Sequence, residues 1–144
     1  MTCGTVLGTY PGVLRSSSAF HDVKCRAHPR AVSYSWAFGD GSDRVIDPTD
    51  EYGALREICL GGSPADDVST FVHSTLFRCL GKSTILCRIN EPPIGVGGCS
   101  VSAREDGEVG EVVFVLIRDV EPGMELYMDY GLNYDRSGYG PASS

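Results

Sequence analysis

The chain has 144 residues, enough for one domain with a modest core. Its net charge of −7 weighs against backbone-driven nucleic-acid binding and suits a protein partner carrying a basic, lysine-containing segment. No apolar run approaches the roughly 18 residues of a membrane span, and 18 glycines with 8 prolines argue against a helical bundle.

Six cysteines form no C-x-x-C pair, and His21, His28 and His73 show no ligand spacing with them, so no metal site is expected. Free, mostly buried thiols are the expectation. No signal-peptide pattern is visible; an intracellular setting is the expectation, with nucleus, cytoplasm and plastid left open.

In chain order, Thr5 to Leu7 reads as a strand, and Tyr10-Pro11-Gly12 as a turn into Val13-Leu14. Arg15 to Arg30 is a polar connection. Ala31 to Phe38 alternates at period 2 and predicts a strand, with Val32, Tyr34, Trp36 and Phe38 on one face. An aromatic stripe of this kind is most simply core. Gly39-Asp40-Gly41-Ser42 predicts a hairpin turn into Arg44 to Asp47. Residues 66–80 carry apolar side chains at helical spacing, with Gly81 as a stop. Ser83 to Asn90 predicts a buried strand ended by Pro92-Pro93, and Cys99 to Arg104 a further short strand. Glu105 to Gly110 reads as an acidic turn. Val112 to Ile117 is the longest apolar run and predicts a buried strand. Pro122-Gly123 then has the chemistry of a type II turn, before a short run from Met124 to Tyr130.

Four stretches in this order carry a resemblance: Gly4 to Gly12 (GTVLGTYPG), Ile46-Asp47-Pro48-Thr49, Arg88-Ile89-Asn90, and Arg118-Asp119-Val120 through E-P-G-M-E-L to Asp129-Tyr130-Gly131. Together the set resembles the SET-domain protein lysine methyltransferases and spans most of the chain. The resemblance implies a mainly β fold of small curved sheets with a pseudoknot, in which Arg88-Ile89-Asn90 threads under the closing motif, and one inserted helix. It implies a SET-like domain over residues 1–139, with a variable inserted segment at 54–87 and a disordered tail at 140–144.

The implied activity is S-adenosylmethionine-dependent transfer of a methyl group to lysine in a histone or other protein. Tyr130 matches the family's essential tyrosine. Arg88, Asn90 and Glu91 fall on the donor-binding segment, Glu91 standing where most members have His. Tyr134 or Tyr139 follows as a residue to close over the site, Tyr134 being the donor-binding candidate. Tyr34, Trp36, Tyr127 and Met128 are candidates for the lysine channel, Met128 at a position that limits how many methyl groups fit. The family's early G-x-G strand has no counterpart before Gly4, so the resemblance implies a piece of a longer enzyme or a domain lacking part of the donor site. The missing strand, Glu91 in place of His, and the lack of a cysteine cluster behind Gly131 favour the alternative, a SET-derived protein-binding module without catalysis.

The chemistry explains these residue types. A lysine amine must be neutral to attack, yet its ordinary pKa is about 10.4. An apolar channel lowers that value, and positioned oxygens and a buried tyrosine hydroxyl orient the reacting groups.

Overall fold

A computed structural model describes residues 1–59, 82–93, 98–132, 134 and 136. The helix expected over 66–80 lies outside them, as do Tyr139 and the tail at 140–144. The described residues form mostly small sheets with few helices: three-stranded sheets of order β1-β8-β7 and β2-β4-β3, and a two-stranded sheet of β5 and β6. The strands are β1 (Val6–Thr9), β2 (Val13–Ser16), β3 (Trp36–Ala37), β4 (Arg44–Asp47), β5 (Ile58–Cys59), β6 (Lys82–Ser83), β7 (Val101–Asp106) and β8 (Glu111–Leu116). No helix among the described residues is long and apolar enough to cross a membrane. Two compact units are distinguished: Met1–Gly8, Ile89–Arg104 and Val113–Ser144 make one; Thr9–Arg88 and Glu105–Val112 make the other.

In the second unit β4 is the central strand, antiparallel to both neighbours, with Leu14 and Trp36 each paired to Ile46. The hairpin expected at Gly39 to Ser42 is present. Asp40 accepts the Ser42 N–H at 2.9 Å, and Gly41 takes a positive φ of 76°. Gly12 lies so close to β4 that a Cβ there would come within 2.9 Å of the Asp47 backbone.

Arg15 to Arg30 is not a plain polar connection. Ser16 caps a single helical turn at Ser17–Ala19, which runs into a π-helix over Phe20–Cys25. Phe20 packs in the core with Ala31 and Val45, and Cys25 lies against them. The connection also contributes a buried charge. Lys24 and Arg15 are each 7% exposed and both donate to the fully buried Asp47, at 2.5 and 3.0 Å. Thr49 supplies N–H and hydroxyl donors to the other carboxylate oxygen.

Two expected strands are corrected. Residues 29–34 form a 3-10 helix, and only Trp36–Ala37 remains extended. Pro29 presets a helical φ at its start, and burying Ala31 against Phe20 fixes the turn. The second correction falls on Ser83 to Asn90, where Ile85–Arg88 is a 3-10 turn. The Ser83 hydroxyl accepts the Ile85 N–H, and Thr84 N–H and hydroxyl reach back to the Glu57 and Arg56 carbonyls. Side chains that hydrogen-bond locally outcompete a ladder here, and Ile85 stays 68% exposed.

In the first unit the apolar run is buried at its centre, while Ile117, at its end, lies outside the strand and is exposed. Phe114, Val115 and Leu116 of β8 are buried, with Val101 and Val120. The strand begins one residue earlier than its apolar run, at Glu111. Strand β7 is displaced two residues onward, so Glu105 and Asp106 are strand rather than turn. Gly123 has φ 87°, as a type II turn requires, and Met124 N–H reaches the Glu121 carbonyl at 3.3 Å.

The cysteines depart from expectation in burial. Among the described ones, Cys59 is buried, Cys25, Cys87 and Cys99 are intermediate, Cys3 is exposed, and all are free.

A candidate site around Tyr130

The closing segment of the first unit lies between two others. Asn90 forms a parallel bridge with Tyr127, and Val101 forms one with Met128. Met128 N–H donates to the Asn90 carbonyl at 2.9 Å. On the other side the Tyr127 carbonyl accepts from Ser100 and Val101, and the Ser100 hydroxyl accepts the Tyr127 N–H at 3.0 Å. Ser100 and Met128 are buried. The Tyr127 N–H and carbonyl and the Met128 N–H are thus given partners without a regular strand.

That arrangement delivers Tyr130. Its hydroxyl donates to the Ile89 carbonyl at 2.6 Å, and its N–H donates to Glu91 Oε1 at 2.9 Å. Burial pushes the phenol up to about 12, and Tyr134 and Glu91 add to the shift. Tyr130 is therefore a neutral phenol at ordinary pH, with no capacity to act as a base. The Tyr134 ring lies against it, with centroids 4.6 Å apart.

Glu91 is held from two directions. Besides Tyr130, it receives Arg136 through Nε at 2.9 Å and Nη2 at 2.5 Å, a forked guanidinium–carboxylate pair. The Arg136 fork also donates to the Gly131 carbonyl at 2.8 Å and the Tyr134 carbonyl at 3.1 Å. Asn90 uses its backbone in the bridge and is exposed to solvent.

The remaining candidates are placed as follows. Tyr127 is half-buried, and its hydroxyl donates to Glu125 at 2.9 Å. Tyr34, Trp36 and Arg88 belong to the other unit. There the Tyr34 carbonyl accepts the Tyr10 hydroxyl at 2.5 Å, and the Trp36 indole donates to Glu105 at 2.8 Å with its ring 5.6 Å from that of Tyr10. Arg88 is an exposed residue at the end of a 3-10 turn.

Sequence reasoning missed Arg136 and Ser100. One signal was available for Arg136: it is the sole basic residue after Gly131, in a chain with an unmatched glutamate at position 91. Ser100 carried none, because its role is to hold backbone.

No family model matches the chain, and no curated protein or solved structure matches it.

Proposed function

We propose that this chain is a SET-like domain that transfers a methyl group from S-adenosylmethionine to a lysine amine of a protein substrate, with Tyr130 as its central residue. One observation carries the reading: the Tyr130 hydroxyl is anchored on the Ile89 carbonyl, while Asn90 runs beside Tyr127 and Met128. The four-part resemblance pairs these same two stretches.

The residues around Tyr130 fit such a donor. A sulfonium methyl is electron-poor and favours oxygen acceptors around it; the Tyr130 and Ile89 oxygens lie 2.6 Å apart. Glu91, acidic where most of the family carries His, has its charge matched by Arg136 rather than left bare. Asn90 and Glu91 would hold the donor beside Tyr130. When bound, S-adenosylmethionine supplies the electrophilic methyl group.

The protein's contribution is positioning and desolvation. Tyr130 donates its proton to Ile89, so its oxygen lone pairs remain acceptors for the reacting groups. Burial raises the phenol to about 12, so it keeps that proton.

Titration calorimetry with S-adenosylmethionine tests the reading. Saturable binding in the low micromolar range, about −8 kcal/mol, is the expected result. No heat of binding at hundredfold higher donor concentration would overturn it and favour the protein-binding module.

A further inference from the structure

We infer that Arg136 is a positioning residue for Tyr130, acting through Glu91; this rests on the reading of Tyr130 given above. The inference starts from a charge that needs an explanation. Glu91 has a side chain only 9% exposed, and a carboxylate that far out of water is costly without donors. It has three. Two come from the Arg136 fork, and the third is the Tyr130 backbone N–H. The guanidinium is planar and delivers two parallel bonds, so it fixes the carboxylate's orientation as well as its charge. A carboxylate so fixed presents Oε1 to Tyr130 in one place.

The consequence passes along Tyr130 itself. Its backbone is tied to Glu91 and its hydroxyl to Ile89, two residues earlier in the same segment. Both ends of the tyrosine are thereby referenced to residues 89–91. Arg136 closes the arrangement from the far side. It also donates to Gly131 and Tyr134, and its guanidinium lies 5.7 Å from the Tyr134 ring centroid. That keeps the Tyr134 ring against Tyr130. One side chain therefore sets the carboxylate that orients Tyr130 and the ring that covers it. Lysine at 136 would keep the charge and lose the fork.

The test uses the whole chain and two readouts. The first is amide hydrogen exchange at Tyr130, with Met128 as an internal reference because its N–H is bonded to Asn90 independently of Arg136. In Arg136→Ala, Tyr130 exchange is expected to accelerate about tenfold, as a charge-assisted bond loosens, with Met128 unchanged. Added methylguanidinium is expected to restore protection, and Arg136→Lys to give an intermediate rate. The second readout is methyl transfer: kcat is expected to fall in Arg136→Ala by a larger factor than the KM for donor rises, and methylguanidinium to raise kcat again. Unchanged Tyr130 exchange in Arg136→Ala would overturn the inference, as would equal acceleration at Tyr130 and Met128, which marks general loosening. A wild-type chain with no transfer activity would end the methyl-transfer reading, and with it the catalytic meaning of this positioning. The exchange result would then still decide whether Arg136 orders Tyr130.

Discussion

The Tyr130 hydroxyl and the Ile89 carbonyl, 41 positions apart in sequence, are joined by a 2.6 Å hydrogen bond. The bond ties the end of the closing motif to the segment that begins the Asn90 crossing. Tyr130→Phe removes one donor and leaves the ring in place. A single hydrogen bond of this kind is worth about 1 kcal/mol, so thermal unfolding is expected to show a small loss of stability with the fold retained. Collapse of the fold in this variant would mean that the hydroxyl is structural above all.

The buried triad of Arg15, Lys24 and Asp47 makes a sharper prediction. Two cations share one carboxylate, all three nearly out of solvent. Burial lowers the pKa of Lys24, and its attraction to Asp47 opposes that shift. Asp47→Ala removes the buried carboxylate to which both cations donate and is expected to cost about 3–5 kcal/mol in urea unfolding. Lys24→Met instead leaves one cation facing one anion and fills the same volume. It is expected to stay within about 1 kcal/mol of the wild type. Equal losses in the two variants would contradict this account of the charge balance.

Alkaline pH is expected to weaken the fold through two groups. Burial raises the Cys87 thiol from 9.0 to about 12 and the Tyr130 phenol from 10.0 to about 12. In each case the folded chain holds a proton that the unfolded chain has released. The contribution is therefore complete below pH 9 and is lost as pH rises from 9 to 12. Denaturant midpoints across that range should fall, and the slope should flatten in Cys87→Ala and in Tyr130→Phe. A midpoint independent of pH above 9 would rule this out.

Gly123 offers a backbone test. Its φ of 87° is the third position of the Glu121 to Met124 turn, and no atom lies near where a Cβ would stand. Gly123→Ala thus meets only backbone strain, about 1 kcal/mol. Differential scanning should show a modest drop in Tm, whereas an unchanged or higher Tm would contradict the turn assignment.

Much of this was legible in the sequence where a local rule had no competitor. The run from Val112 to Leu116 formed a strand with a buried centre, Pro122-Gly123 had to turn, and Gly39 to Ser42 joined β3 to β4. Legibility failed where side chains bonded to nearby backbone. Ser83 and Thr84 wound Ile85–Arg88 into a turn that apolar content alone assigned to a strand. It failed again where a polar stretch hid a long-range partner. Nothing local marks Lys24 as buried; Asp47 and the Thr49 carbonyl, 23 and 25 residues later, hold its ammonium. In the candidate site, the closeness of Tyr130 to residues 89–91 was expected from motif order. Arg136 was not, because its partner lies 45 positions away.

Transfer of labelled methyl from S-adenosylmethionine to a lysine-rich protein, comparing the wild type with Tyr130→Phe, tests the central claim most directly. The account predicts label on lysine in the wild type and a loss of at least about a hundredfold in the variant, the scale expected when an oriented group leaves a reacting centre. Equal labelling by both proteins, or none by the wild type, would contradict it.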